Sequence, residues 1–540
     1  MRRTDITARS DRRHSSARDS VTVAGWTLVS RVTGLLRVLT IGAVLGPTYF
    51  ANVFQAGYVL PNLIYSLIAG QVLAMVVVPG VVRAIASHGV PRAREVLGRL
   101  SGVLVIASAG LAGLLALASP VLAWTLTFGI PDDAVRARAH HLAIVIILLV
   151  APQVVLYTIA ALNTAAQQAR GRFAIAAGAP TAENLGVMAT MMAAAVVFGS
   201  GPDVAEVPMG SVVLLGAGST LSVALHALLQ VYGAARAGVA ALPSRSWRHD
   251  PEVADLMRRL RQAVRVAASQ AGAMYVVLAV AATVPGGVFV LQVVYAAHYS
   301  VIALGAHAVS TAVLPRLSAA AYRGDLADFA DHWRRGLSYA ATVGLPAIVL
   351  IVVFAPAAAD ILTRGEADQQ IVVGQLTLCL MVVAAAQLAG GLHNLGRQAL
   401  FARLDVRGPR VAAVVLLVVT AAVACSALLA VPAGTSRLYL LALAIAAGEA
   451  AGAAVVLLRL RTALGSERFA NGRVLTRTAG AVIAILPPAL AGLWWLRVAG
   501  AGGALRVVLV GLCAAAAVAA YVAVLRASVH RIGAEHPHGA

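Results

Sequence analysis

The chain has 540 residues, of which 60% are hydrophobic and only 12% are charged. Soluble domains carry about a quarter charged residues, so this composition excludes both a multidomain soluble protein and a disordered chain. The formal net charge is +20, and all 42 basic residues are arginines that lie in short tracts between apolar runs. This arrangement is typical of a polytopic membrane protein and excludes a nucleic-acid-binding surface.

The chain begins with an Arg- and Ser-rich segment, residues 1–20, which is predicted to be a disordered basic tail in the cytoplasm. After it come apolar segments of about 20 residues, the length that an α-helix needs to cross a bilayer. We therefore predict an all-α protein with about fourteen transmembrane helices. They are placed at 21–45, 52–82, 100–123, 141–166, 182–199, 211–235, 266–283, 287–314, 336–357, 370–396, 411–431, 438–458, 478–496 and 507–525.

The predicted spans fall into two groups of six. The N-lobe covers 21–235 and the C-lobe covers 266–460, joined by a cytoplasmic linker at 236–265. Two more spans follow within 461–526, and a cytoplasmic tail covers 527–540. A weak repeat supports the two lobes, because Pro79 and Pro315 end the second and eighth spans, while Asn163 and Asn394 end the fourth and tenth. Paired landmarks of this kind predict a transporter with its site between the repeats.

The arginines predict the orientation of these spans. With the N-terminus in the cytoplasm, inner segments carry 34 of the 42 arginines, outer loops carry six, and two lie inside the first span. Such a bias follows the positive-inside rule and predicts that both termini are cytoplasmic.

The linker contains the stretch EVADLMRRLRQAVR, whose apolar residues recur at helical spacing opposite arginines. One interpretation is an interfacial amphipathic helix that binds anionic membrane lipid. The other is an ordinary solvated helix that joins the two lobes, and the two are compatible.

Two arginines stand inside the first span, Arg31 and Arg37. Inserting an arginine at mid-membrane costs about 2.5–3.5 kcal/mol, so two of them in one span indicate a structural or functional role. The planar guanidinium binds phosphate oxygens in bidentate fashion. Six residues of helix separate the two arginines by about 9 Å of rise, so they could line one broad cavity. The alternative is snorkelling or structural pairing at helix ends, and no acid on a neighbouring span is an obvious partner.

Other polar residues interrupt the spans. Pro61, with Asn62 after it, is predicted to break the second helix and leave an unpaired carbonyl at a cavity. His226 and His298 are interpreted as hydrogen-bonded packing residues. Glu183 is expected among the headgroups near the inner end of the fifth span, and further polar residues include Glu449.

No nucleotide-binding, hydrolase or metal-ligand motif is evident, and the three cysteines fall within apolar runs. We therefore predict neither an enzyme nor a cofactor. An ion gradient or the membrane potential would drive any transport.

Four stretches together carry a family resemblance: SRVTGLLRVLTIGAVLG, VFQAGYVLPNLIYSLIAGQVLAMVVVPGVV, LNTAAQQARGRFAIAAGAPTAENL and TAVLPRLS. They resemble the MviN/MurJ family of the MOP exporter superfamily, whose members flip lipid II. The resemblance implies a MOP/MATE-like arrangement of two six-helix lobes plus two C-terminal helices. It also implies that Arg31 and Arg37 are cavity arginines that bind the pyrophosphate.

The chain departs from that family at several cavity positions. Asn52 stands where the family has an acid, Tyr65 and Ser66 where it has paired arginines, and Gln71 lies where its AEGA stretch occurs. In the eighth span, His298 is the nearest candidate for the family's charged pair.

The resemblance implies a flippase in the bacterial cytoplasmic membrane that moves lipid II, an undecaprenyl-linked peptidoglycan precursor, by alternating access. One alternative is an exporter of another polyprenyl-linked glycan or of a small amphiphile. The other is a non-transporting scaffold for envelope synthesis. Expected partners are lipid II, anionic lipid at the linker, and cell-wall synthesis proteins, but not nucleic acid.

Overall fold

The structure is a computed structural model that describes residues 25–68, 70–244, 251–302, 308–362, 369–465, 469–498 and 503–535. The predicted N-terminal tail at 1–20 lies outside the described residues. Every regular element within these ranges is helical, apart from turns and short coil segments. The chain divides into two compact units, Met1–Ala271 and Gly272–Ala540, which we call unit 1 and unit 2.

Unit 1 contains eight complete helices and the first part of a ninth, which also carries the boundary between the units. They are α1 (Gly25–Leu45), α2 (Tyr49–Ile68), α3 (Gly70–Leu117), α4 (Ser119–Thr127), α5 (Asp133–Val150), α6 (Gln153–Ala169), α7 (Ala174–Phe198), α8 (Met209–Arg236) and α9 (Pro251–Ala281).

Unit 2 contains the remainder of the helices in the described ranges. They are α10 (Gly287–Ile302), α11 (Ala308–Tyr322), α12 (Leu326–Leu362), α13 (Gln369–Ala402), α14 (Arg407–Ala430), α15 (Thr435–Leu464), α16 (Gly472–Val482), α17 (Leu486–Val498) and α18 (Gly503–Glu535). The last helix continues past the predicted boundary at 526, so the segment predicted as a C-terminal tail is helical up to Glu535.

Eleven helices among the described residues are long and apolar enough to cross a membrane. Two shorter apolar helices, Val266–Ala281 and Gly287–His298, fall at the predicted seventh and eighth spans. Helix α2 falls at the second span and carries three amide side chains, Asn52, Gln55 and Asn62, which lower its mean hydropathy. The number fourteen stays a prediction.

Some of the helix breaks fall at a glycine or a proline. Helix α3 bends at Gly89, where φ is 78°, and α5 is separated from α6 at Pro152. The predicted break at Pro61 and Asn62 is wrong, because α2 continues through Pro61 to Ile68. A proline removes one backbone donor, and the packing of a membrane helix against its neighbours can offset that loss.

The start of the linker is a strap, residues 238–244, fixed to α3 and α6. The Ala241 N–H donates to Asn163 Oδ1 at 3.0 Å, and the Ser244 N–H donates to the Gly98 carbonyl at 2.8 Å. Arg94 donates to the Gly238 carbonyl at 2.7 Å. A Cβ at residue 102 would lie 2.0 Å from the Ser244 carbonyl oxygen, so this close approach requires Gly102.

The predicted amphipathic helix of the linker is the first part of α9, which continues into the predicted seventh span. Its Met257 and Val264 pack against a core cluster of α3, α6 and the strap that includes Leu97, Leu100 and Leu162. These two side chains are therefore covered by protein, which fits the interpretation of a helix that joins two lobes.

Unit 2 has its own core around Trp333, which is fully buried. The indole Nε1 of Trp333 donates to the Phe469 carbonyl at 2.9 Å, and the two rings lie 5.7 Å apart. Leu395, Leu400 and Leu460 complete this cluster, which joins α12, α13 and α15.

Candidate functional site

Unit 1 contains a buried polar centre formed by Arg37, Tyr58, Tyr157, Glu183 and His226. The Nη1 of Arg37 lies 3.5 Å from Glu183 Oε1 and donates to the Tyr58 hydroxyl at 3.1 Å. The Tyr157 hydroxyl donates to Glu183 Oε1 at 2.8 Å, and His226 Nδ1 lies 2.8 Å from Glu183 Oε2. Glu183 therefore accepts from three side chains and is the hub of the centre.

Five helices supply these groups, one from each of α1, α2, α6, α7 and α8. The residue after the hub, Asn184, attaches α7 to α1: its Nδ2 donates to the Ser30 carbonyl at 3.2 Å and to the Thr33 hydroxyl at 3.1 Å. These bonds lie one to two turns before Arg37 on α1. They fix the rotation of α1 that directs Arg37 at Glu183.

The centre continues into a chain of amides. The second ring nitrogen of His226 lies 3.5 Å from Gln230 Nε2, which donates to the Ala176 carbonyl at 3.1 Å. Gln167 Nε2 donates to Gln230 Oε1 at 2.7 Å. Buried hydrogen-bond networks of this kind hold their side chains in one geometry.

Charge balance explains why the centre is tolerated in an apolar helix bundle. A buried carboxylate without a cation costs several kcal/mol, and Arg37 supplies a permanent positive charge beside Glu183. The Glu183 side chain is 8% exposed, whereas that of Arg37 is 24% exposed. Within the described residues, the hydrogen bonds of the Arg37 side chain are made by its Nη1.

The two predicted pyrophosphate ligands lie in different surroundings. Arg37 is half-buried and paired, whereas Arg31 is exposed and makes no hydrogen bond or ion pair with any described residue. The expectation that no acid on a neighbouring span would pair with these arginines is wrong. Glu183 is that acid, and it is buried among the helices of unit 1.

The other predicted cavity residues lie in different surroundings. Asn52 is buried, Pro61 is buried within α2, and Asn62 is exposed. Gln71 lies on α3, and its side chain is outside the described residues. His298 belongs to unit 2, on α10, and is buried.

Unit 2 has a second buried polar centre, which joins His298, His393 and Glu449. His393 Nδ1 lies 3.0 Å from Glu449 Oε2, and His298 Nε2 lies 4.0 Å from Glu449 Oε1. The interpretation of His226 and His298 as packing residues omitted these partners: His226 lies beside the buried Glu183, and His298 lies beside Glu449, whose side chain is 15% exposed.

Arg437, assigned to an outer loop from the sequence, is also buried. It donates to the Thr283 hydroxyl at 2.7 Å and to the carbonyls of Leu428 and Val431 at the end of α14. Arginine at a helix C-terminus stabilises the carbonyls that have no partner within the helix.

Sequence analysis did not assign Tyr58, Tyr157, His393 or Gln230 to a site. One usable signal was the spacing of His226 and Gln230, four residues apart in an otherwise apolar helix, which places both on one face. The tyrosines carry no such signal, because an aromatic residue in an apolar helix is usually part of the core.

The fold is shared with solved membrane transporters. The chain is similar to a solved lipid II flippase MurJ in an inward closed conformation, with a TM-score of 0.65 at 14% identity, covering 92% of this chain and 98% of that one. It is also similar to an inward-facing multidrug resistance MATE transporter of the MOP superfamily, with a TM-score of 0.61 at 16% identity. That match covers 81% of this chain and 95% of the other. The predicted all-helical MOP/MATE-like fold is confirmed.

Sequence comparison then gives the family. A probable lipid II flippase MurJ from Rhizobium tropici is 28% identical over 61% of this chain and 60% of the relative, so the match spans about three fifths of that protein. One from Vibrio cholerae is 24% identical over 73% of this chain and 74% of the relative. The family model described as lipid II flippase MurJ matches residues 41–511. The chain belongs to the lipid II flippase MurJ family.

Proposed function

We propose that this protein moves lipid II across the bacterial cytoplasmic membrane by alternating access. The observation that carries the proposal is the family match over residues 41–511, which includes the helices that supply four of the five groups of the unit 1 centre. Lipid II is the substrate named for the family and for its curated relatives.

Arg37 and Arg31 are proposed to bind the pyrophosphate of the lipid. Nη1 of Arg37 is engaged by Tyr58 and Glu183, so Nη2 is the donor that would contact a phosphate oxygen. Glu183 balances the charge of Arg37, and Arg31 would therefore supply the net positive charge that attracts the anion. In this arrangement Glu183 is a positioning residue for Arg37.

The proposal is tested by complementation. In cells depleted of their own lipid II flippase, expression of this chain should restore growth and peptidoglycan synthesis. The matched control is the same chain with Arg31→Ala and Arg37→Ala, checked for equal abundance in the membrane. Failure of the wild-type chain to rescue growth, at normal abundance, would contradict the flippase proposal.

We further propose that both termini are cytoplasmic, as the arginines predict, and that the lobes, linker and terminal spans have the boundaries predicted from the apolar segments. Reporters fused after Arg94 and Arg403 should then be active on the cytoplasmic side, and a reporter fused near Asp203 should be active outside. Protease protection in right-side-out vesicles provides the same comparison without fusions. A fusion that reports the opposite side would remove or add a span.

Two further partners belong to this proposal. The arginines of the linker would bind anionic lipid at the cytoplasmic surface, since Arg258 on α9 is exposed while Met257 and Val264 contact protein. Cell-wall synthesis proteins would receive the flipped precursor. The second of these partners follows from a flippase role in peptidoglycan synthesis, and the first follows from the charge of the linker.

One observation favours the competing role of a non-transporting scaffold. The ring of Tyr65 lies 5.4 Å from that of Tyr157, beside the unit 1 centre. The family resemblance implies an arginine at this position. A scaffold would need the same fold, but it would not need a net positive charge in the unit 1 centre. The complementation experiment separates the two roles, because a scaffold would not restore flipping.

A further inference from the structure

The centre in unit 2 places one carboxylate between two imidazoles on three different helices. Glu449 lies on α15, His393 on α13 and His298 on α10. The two histidine side chains are 4% and 1% exposed, and that of Glu449 is 15% exposed. The closer contact is the 3.0 Å approach of His393 Nδ1 to Glu449 Oε2, while His298 stands at the outer limit of an ion pair.

Its charge balance differs from that of the unit 1 centre. There, Arg37 supplies a permanent cation to Glu183. Among the described residues, Glu449 pairs with His393 and His298 and with no arginine, and Arg397, one turn after His393 on α13, donates to Asn394 Oδ1 at 3.2 Å. The ring of Tyr295, a further titratable group, lies 6.1 Å from that of His298.

The absence of a fixed cation in this part of the structure makes the charge of the cluster depend on protons. With both imidazoles neutral and the carboxylate ionised, the cluster would bury an uncompensated negative charge, which costs several kcal/mol in an apolar bundle. One added proton, on the carboxylate or on an imidazole, makes the cluster neutral overall. A single proton therefore decides whether this part of unit 2 is charged.

The His393 ring packs against α15, and one of its two nitrogens makes no hydrogen bond with a described residue. It lies against α15 at Gly452, where a Cβ would be 3.0 Å from the ring Cε1. Its Nε2 is buried and makes no hydrogen bond with any described residue. Nε2 of His393 could therefore exchange a proton with water that reaches the ring.

We propose that the His298–Glu449–His393 centre of unit 2 binds and releases one proton in each transport cycle. The proton comes from bulk water and returns to it, and the N–H or O–H bond at the centre is the bond that forms and breaks. This proposal rests on the proposed transport function and adds to it the identity of a coupling ion. Acidic and histidine residues buried between membrane helices form proton relays in other pumps and transporters.

Proton binding can be measured without transport. In purified full-length protein, infrared difference spectra between two pH values should contain carboxyl and imidazole bands that Glu449→Gln removes. The matched control is Glu183→Gln, which changes the buried glutamate paired with Arg37 and should keep the Glu449 bands. Bands unchanged in a folded Glu449→Gln variant would overturn the proposal.

A second variant keeps the test decisive if Glu449→Gln does not fold. His393→Asn removes the closer imidazole while it leaves the carboxylate, and the carboxyl band should then appear at a different pH. An identical pH dependence in His393→Asn and wild type would exclude a shared proton.

Coupling is measured in vesicles that contain the protein and labelled lipid II. With one proton per cycle, a gradient of one pH unit should change the steady-state distribution of the lipid about tenfold. Glu449→Gln should abolish this response. Wild-type flipping that ignores the pH gradient would overturn the coupling while the flippase function stands. A wild-type protein that flips no lipid under any gradient would refute the proposed function, and the spectra would still decide whether the centre binds a proton.

Discussion

Replacing Arg37 with alanine should reduce both stability and lipid II binding, because the residue balances a buried carboxylate and also offers a donor to the ligand. Removing one partner of a buried ion pair costs about 3–5 kcal/mol, and the lower end applies here since Arg37 is a quarter exposed. Arg37→Lys keeps the charge but loses the planar second donor, so it should retain more stability than binding. Thermal unfolding and lipid binding are measured on the same samples.

A double variant separates the two roles. Arg37→Leu with Glu183→Gln removes both charges and should recover most of the lost stability, since no uncompensated charge stays buried. Lipid binding should stay weak, because the donor is gone. If the double variant binds lipid II as well as wild type does, Arg37 acts only in folding.

Arg31→Ala is the matched control for this experiment. Arg31 is exposed and has no ion pair among the described residues, so its removal should change stability by no more than about 0.5 kcal/mol. Its removal should nevertheless weaken lipid binding. Normal binding by both alanine variants would refute the pyrophosphate site.

Replacing Trp333 with alanine should destabilise unit 2 strongly. The side chain is fully buried, contacts the Phe469 ring and donates to the Phe469 carbonyl at 2.9 Å. Removing a buried tryptophan typically costs about 3–5 kcal/mol, and Trp333→Phe should cost less because it keeps the ring contact and loses the hydrogen bond. The midpoint of unfolding in detergent measures the difference.

Trp494 on α17 is the matched control, since it is the same residue type with two thirds of its side chain exposed. Trp494→Ala should change stability by about 0.5 kcal/mol at most. If Trp333→Ala and Trp494→Ala have equal effects in detergent, the described core of α12, α13 and α15 is wrong.

The helical architecture could be predicted from the sequence because hydrophobic length is a local property. The span at 141–166, for example, falls within Asp133–Ala169, and the span at 411–431 ends one residue beyond Arg407–Ala430. The positions of helix breaks could be predicted less well from proline. Pro152 separates two helices and Pro61 does not, and the difference depends on tertiary packing around each residue.

The pairing of polar side chains could not be predicted. Arg37 and Glu183 are 146 positions apart, and their contact depends on how α1 and α7 are rotated, which Asn184 fixes through Ser30 and Thr33. Hydropathy places Glu183 at a depth but does not say which neighbour it faces. A lone histidine such as His298 looks the same in sequence whether it packs or pairs with a distant glutamate.

The strap at 238–244 determines where chimeras of this protein can be joined. Its bonds to Asn163, Gly98 and Arg94 belong to unit 1, so a recombination junction placed before Gly238 would join the strap of one parent to the α3 and α6 of another. The strap of one parent would then have to fit closely against residue 102 of the other parent. A junction after Ser244 carries the strap together with the helices that hold it. Half-exchange experiments between family members are therefore best joined in the segment that follows Ser244.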